Sequence, residues 1–548
     1  MYRFAPAPRK EVKSLNSFDP KHDLLASIVV FLVALPLCMG IAIASGVPVA
    51  AGLITGIVGG IVVGTIAGCP LQVSGPAAGL TVIVYEAVQH FGLETLGIIV
   101  LAAGVLQLVA GLLGLGRWFR AVSPAVIKGM LAGIGVLIFA SQFHVMVDAE
   151  PQGSGIANLL AIPQSIVKAI ELPDEVDQSS YRFRKQLLQQ VGEVRRQQIN
   201  LGERVGQYFP RIHDPDKEYS TWQRAINAIS LIKFIAEQKQ IGVQLTEVVN
   251  KLEASADELP DHVNTETATA AAKTAVQQND AAIAAFVEGE PAQVLAAQTA
   301  SAKKLDQLLA ELKNHHIAAY LGLAAIAIIA LWRFVPGRLR AIPGPLVAVV
   351  VATIAAAVLN LPVLYVQVPD RLWDGVHFPS SVVFTDANVF TLLQTAILLA
   401  VVASAETLLC ATAVDQMHTR QRTNYNRELA AQGVGNIICG VLGALPMTGV
   451  IVRSSANVQA GGKSRWSAVL HGIWLLIFVV SLGFLLRQIP TAALAAILVF
   501  TGIKLMDFKG ASKLAAYGKS EVAICLATVI MIVVTDLLTV VLVGIGLA

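Results

Sequence analysis

Two charged residues stand inside apolar runs: Arg453 in "ALPMTGVIVRSSANVQAGG" (444–462) and Glu406 in "LLAVVASAETLLCATAVDQ" (398–416). A charge at the centre of a bilayer costs at least roughly 2.5–3.5 kcal/mol on insertion scales, so each calls for a chemical reason. Arg453 follows the Thr448-Gly449 step by about one helical turn, where it can set a fixed positive charge beside an anion. The bland alternative is an arginine snorkelling to an interface. A carboxylate at Glu406 must be protonated, ion-paired or cation-bound. It can serve as a coupling site for H+ or Na+, or it can pair with Arg453, and these two readings can coexist.

A second stretch repeats the grammar around Arg453. "CPLQVSGPAAGLTVIVYEA" (69–87) also has a Pro-containing lead-in, a Ser-Gly step in place of Thr-Gly, and then a short run of small residues. A helix that starts in mid-membrane leaves its first N–H groups unpaired and presents the positive end of its dipole. Such backbone survives in a bilayer only where it lines a cavity. Two such starts facing each other make one anion site. Ser74, Gly75, Thr448 and Gly449 are the candidate ligands, through N–H groups and hydroxyls. Ala77 and Val450 stand in the same two starts, and the small Ala77, Ala78 and Gly79 allow close helix approach. Ordinary small-residue packing explains either stretch alone; the matched pair with Arg453 favours the site.

These elements belong to a polytopic membrane chain. Of 548 residues 55% are hydrophobic and 14% charged, against about 25% charged in ordinary soluble domains. Apolar runs fall near 24–44, 49–67, 75–90, 96–115, 125–146, 317–334, 343–360, 389–412, 428–444, 449–460, 468–486, 491–505, 521–536 and 537–548. The two short runs are third and tenth, that is third in each half of seven. Basic turns such as "GRWFRAVSPAVIK" and "WRFVPGRLRAIPG" follow the even-numbered runs, which places both termini in the cytoplasm. The expected fold is an all-α polytopic membrane protein of fourteen transmembrane elements in a seven-plus-seven inverted repeat, with an inserted helical soluble segment.

The expected organisation is a cytoplasmic segment 1–23, a first membrane half 24–150 with spans one to five, an insert 151–316, spans six and seven at 317–360, and spans eight to fourteen at 389–548. Residues 171–316 carry 16 Lys and Arg against 21 Asp and Glu, and the rest of the chain 24 against 16. An acidic, helical, periplasmic insert thus interrupts a basic membrane chain. The stretch 155–172 contains Pro163 and Lys168 and is read as a helix lying at the interface.

Several chemistries find no support. The five cysteines form no CxxC pair and the ten histidines no HExxH, so neither a disulfide framework nor a metal site is expected. No P-loop, GxSxG or dinucleotide fingerprint occurs, and nothing points to nucleic acid. The chain is expected not to be an enzyme and to need no cofactor beyond a coupling ion. Glu86 is expected to reach interfacial water, and Asp415 and His418 to be solvated in a basic turn.

At "GPAAGLTV", "LAAGVLQLVAGLLGLGRWFRAVSPAVIKGMLAGIG" and "NRELAAQGVGNIICGVLGALPMTGVIVRSSANVQAGGKSR" the chain resembles the SulP family of anion transporters. The resemblance covers roughly 20–150 and 317–548. It implies a core subdomain of spans 1–4 and 8–11, a gate subdomain of spans 5–7 and 12–14, and an elevator-like movement within a homodimer. It adds Ala34 and Cys38 of span one to the pocket. "NRELAAQGVGN" is most similar to bicarbonate transporters and to members paired with carbonic anhydrases, so bicarbonate is the first substrate expectation, with a sulfate or dicarboxylate symporter of the same family, or a channel-like anion pathway, as the alternatives. In sodium-dependent members the resemblance implies an aspartate with hydroxyl residues on spans eight and ten. This chain has Glu406 with Cys410 one turn later, and apolar Val450 and Ile451, a departure that makes H+ coupling plausible beside Na+. Members commonly continue into a cytoplasmic STAS domain, which this chain, ending "VVLVGIGLA", is expected to lack. The location implied is a bacterial inner membrane, with lipid and a small inorganic anion as partners.

Overall fold

A computed structural model describes residues 19–116, 124–149, 155–170, 178–212, 221–254, 264–336, 342–366, 389–418, 422–506 and 518–534, with isolated positions between them. The chain divides into two compact units. The first comprises residues 1–165, 322–352 and 368–548, and the second 166–321 and 353–367.

Helices lie at the first thirteen predicted runs; the fourteenth, 537–548, lies outside the described residues. In the first half these are α1 (Pro20–Ala44), α2 (Val49–Val58, extended by a π turn Gly59–Val63 and a last turn Gly64–Ile66), α3 (Thr81–Leu112) and α4 (Pro124–Met146). Within α3, Gly92 takes φ +80°, which separates a half-helix from the following span Thr95–Leu112. Helix α5 (Gly155–Ile170) turns buried Asn158 and Ser165 inward, toward His144 of α4, and leaves Leu160 and Val167 exposed. Polar-in and apolar-out is the pattern of a helix facing lipid.

The insert forms α6 (Gln178–Ile212), α7 (Thr221–Ala254), α8 (Thr265–Glu288) and α9 (Pro291–Leu312). Their apolar faces, including Leu187, Val191, Val248, Leu252, Phe286 and Leu308, make one core. Through it runs a layer of buried amides, one from each helix: the Gln238 side-chain amide donates to Gln198 and Asn279, and Gln298 donates to Gln238. Buried Arg184 donates to the carbonyls of Leu312 and Lys313, satisfying the C-terminal end of α9.

The chain returns through α10 (His315–Leu331) and α11 (Gly344–Val358), then α12 (Val389–Met417), α13 (Tyr425–Val441), α14 (Ile451–Gln459), α15 (Trp466–Leu486), α16 (Thr491–Leu505) and α17 (Lys519–Val534). Among the described residues six helical segments are long and apolar enough to cross a membrane, by length and composition: Pro20–Ala44, Val49–Ile66, Thr95–Leu112, His315–Phe334, Val389–Met417 and Trp466–Leu486. Helices α3 and α13 meet backbone to backbone. A Cβ at Gly104 would lie 2.6 Å from the Ile437 amide nitrogen, and one at Gly433 would strike the Leu108 backbone. Small residues at such crossings let membrane helices touch.

Two contacts fix the ends of the site-bearing helices. Buried Asp23, at the start of α1, accepts from the backbone nitrogens of Lys463 and Ser464 and from the Ser464 hydroxyl, tying α1 to the turn between α14 and α15. Asp415 corrects an expectation. It is 5% exposed and accepts from the Thr423 nitrogen and hydroxyl, because the chain folds back from α12 to α13 and the turn's N–H needs a partner. His418 is half-buried.

Candidate functional site

The two Pro-containing lead-ins become short strands, β1 (Ser74–Pro76) and β2 (Met447–Gly449). They pair antiparallel, Ser74 opposite Gly449, Gly75 opposite Thr448 and Pro76 opposite Met447. Each strand then turns into a helix. After β1 comes a 3-10 turn, Ala78–Leu80, and the half-helix at the start of α3; after β2 comes α14, with Val450 at its N-cap. Neither helix start has a side-chain cap. Two uncapped positive helix ends therefore leave adjacent, hydrogen-bonded strands.

Strand side chains alternate between faces, which divides the predicted ligands into two sets. Gly75 and Thr448 share one face with Arg453 and Glu406. Arg453 is 0% exposed, and its guanidinium lies over Gly75, where a Cβ would strike Nη1. Among the described residues Nε, Nη1 and Nη2 of Arg453 have no hydrogen-bond partner. Full burial removes the snorkelling alternative. Cys38 of α1 and His471 of α15 are its buried electrostatic neighbours. The Cys38 sulfur also packs on Gly56 of α2, whose Cβ would be 2.6 Å away.

Glu406 reaches the same region from α12. Its carboxylate sits against Gly79, where a Cβ would be 2.8 Å from Oε2, and the Thr448 side chain lies beside it. Its buried Oε2 has no partner, and no ion pair joins it to Arg453 among the described residues. The pairing alternative is thereby lost. Arg453 and Glu406 thus flank the strand pair without pairing with each other among the described residues.

Other predicted residues take supporting places. Ser74 faces the opposite side, where its Oγ accepts from Gln432 at 2.6 Å. Gly449 gives its N–H to Thr407, and Val450 gives its own to the Val73 carbonyl. The Cys410 sulfur is 3.5 Å from the Ser454 hydroxyl, which serves the first turn of α14 and the Val73 nitrogen rather than the Glu406 carboxylate. Ala77 is buried ahead of the 3-10 turn, and Ala34 is buried one turn before Cys38. Glu86 is half-buried and lines a cleft with Thr81, Tyr85, Ser141 and Asn158 rather than standing in open water.

Glu428, Gln432 and Asn436 of α13 were not foreseen as site residues. All three are buried and face the back of the strand pair. The available signal was the polar repeat at four-residue intervals in "ELAAQGVGN", which puts three polar groups on one face of a span.

The tight fit at Gly75 makes a direct test. Gly75→Ala should displace the Arg453 guanidinium and weaken anion binding by the worth of a charge-assisted contact, about 1.5–3 kcal/mol. Uptake kinetics of the variant check this; an unchanged KM would show that Arg453 need not sit there.

A family model described as "Sulfate permease family" matches residues 21–175 and 283–528, reaching further into the insert than the sequence resemblance did. YvdB of Bacillus subtilis, named for sulfate transport, is 23% identical over 98% of this chain and 74% of its own. The bicarbonate transporter BicA of a Picosynechococcus strain is 27% identical over 45% of this chain, and the match spans only 43% of BicA. Among solved structures, the transmembrane domain of a cyanobacterial bicarbonate transporter BicA superposes with a TM-score of 0.60 at 19% identity, covering 96% of this chain and 98% of that one. The murine anion transporter Slc26a9 in its inward-facing state gives a TM-score of 0.58 at 14% identity, covering 98% and 68%. At these identities the two structures establish the fold.

Proposed function

The chain belongs to the sulfate permease family, and from that premise we propose that it takes up bicarbonate by secondary active transport driven by an H+ or Na+ gradient. The observation that carries the reading is Arg453, in the first turn of α14, fully buried over Gly75 and without a hydrogen-bond partner among the described residues. A buried guanidinium of this kind is costly unless something negative meets it. The guanidinium lies against small residues and backbone, which suits a small inorganic anion. Glu406, with its unpartnered oxygen against Gly79, is the coupling residue of the proposal.

Bicarbonate is favoured because the sequence relative BicA, a bicarbonate transporter, is 27% identical over 252 residues. Sulfate is the second reading, since YvdB matches along 98% of this chain. The proposal further takes the protein as a homodimer in a bacterial inner membrane. Both ends are then cytoplasmic, the insert is periplasmic, and a core subdomain moves elevator-fashion against a gate. Carbonic anhydrase is the proposed functional partner.

Uptake into proteoliposomes of bicarbonate, sulfate and chloride, each under an imposed H+ or Na+ gradient, tests the reading. Saturable bicarbonate uptake driven by one of the gradients is expected. Flux that is electrogenic and does not saturate would make the protein a channel-like pathway instead.

A further inference from the structure

A two-stranded sheet inside a membrane protein has two edges and no third strand to satisfy them. A side chain supplies the missing partners on β2, and the same helix holds the Ser74 side chain of β1. On β2, the Asn436 amide accepts from the Met447 nitrogen at 2.7 Å and donates back to the Met447 carbonyl at 3.1 Å, as a neighbouring strand would. The same Asn436 amide also donates to Gln107 Oε1 on α3 at 2.7 Å. On β1, Gln432 Nε2 donates to Ser74 Oγ at 2.6 Å and to Glu428 Oε1 at 3.0 Å. Glu428 in turn accepts from the Cys69 nitrogen and from Gln72 Nε2, both at 2.8 Å. Its oxygens accept from three N–H donors, so it holds the Gln432 amide with its NH2 forward and Ser74 as the acceptor.

Gln432 and Asn436 stand one turn apart on α13. Four residues of helix rise roughly 6 Å, close to the roughly 4.8 Å spacing of paired strands. One face of α13 therefore holds β1 with one residue and β2 with the next.

We propose that Gln432 and Asn436 are positioning residues that set the alignment of the two half-helix starts, and so tune anion affinity and selectivity without touching the anion. The proposal rests on the reading that the anion sits between those starts.

The test uses the full chain in proteoliposomes with bicarbonate and sulfate as probes. Gln432→Met removes both donors at nearly constant volume. It is expected to raise KM about tenfold, with a smaller change in maximal rate, to alter the preference between the two anions, and to speed hydrogen exchange at 72–76 and 446–450. Because Gln432 acts through Ser74, adding Ser74→Ala should cost little more than the single change. If Gln432→Met is not recovered from the membrane, Gln432→Asn, whose reach is one methylene shorter, carries the same KM expectation. A lowered melting temperature with unchanged KM and preference overturns the proposal, as does full additivity with Ser74→Ala. An Arg453→Ala arm separates the two claims. Unchanged affinity there removes the site reading, whereas weakened affinity beside an unaffected Gln432→Met removes the positioning role alone.

Discussion

Arg453→Ala is expected to weaken anion binding about 10- to 150-fold, the equivalent of a hydrogen bond to a charged group, about 1.5–3 kcal/mol. The expectation follows from the guanidinium's isolation. All three of its nitrogens lack a hydrogen-bond partner among the described residues, and the Glu406 carboxylate sits against Gly79 instead. The positive charge is thus held for something else, and removing it takes away the attraction and relieves the protein of an uncompensated buried charge. The two consequences have opposite signs, and together they identify a binding residue. The variant should fold at least as well as the parent, with no loss of melting temperature, while uptake KM rises. Arg453→Lys keeps the charge but loses the planar fork, so it should recover part of the affinity. If Arg453→Ala leaves affinity unchanged, the charge plays no part in binding, and the reading of an anion held between the two helix starts beside it falls.

Glu406→Gln carries the second large effect, on coupling rather than affinity. The Glu406 carboxylate lies at the 3-10 turn leading into the α3 half-helix, against Gly79 and beside Thr448, and its Oε2 has no partner among the described residues. A negative charge there occupies the positive helix end that an anion would use, and a bound proton or cation cancels it. Gating of the anion by the cation follows from that competition. Glutamine keeps the shape and fixes the neutral form, so the variant should still take up anion down its gradient. Accumulation driven by an imposed H+ or Na+ gradient should disappear. Uptake that keeps its full dependence on the gradient would remove Glu406 from the coupling role.

Much of the site was legible because charge and backbone breaks are conspicuous in an apolar chain. Arg453 and Glu406 stood out by cost alone, and the paired Pro-containing lead-ins located both helix starts. The side-chain faces were not legible. A period of two over three residues cannot say which of Ser74 and Gly75 faces Arg453, and only the approach of the guanidinium to Gly75 decides it. The α13 stripe was visible as spacing, but its purpose depends on strands more than ten residues away in one case and more than three hundred in the other. Asp415 was misjudged for a related reason. A carboxylate in a basic turn looks solvated until the turn folds back and supplies it with the Thr423 N–H.

The central claim is that one anion binds between the first turns of the α3 half-helix and α14. A structure determined with the transported anion at saturating concentration tests it most directly. The anion should lie between those two turns, on the face bearing Gly75 and Thr448, with the Arg453 guanidinium at hydrogen-bonding distance, about 2.7–3.2 Å. An anion bound elsewhere, with Arg453 still buried over Gly75 and out of its reach, would contradict the account.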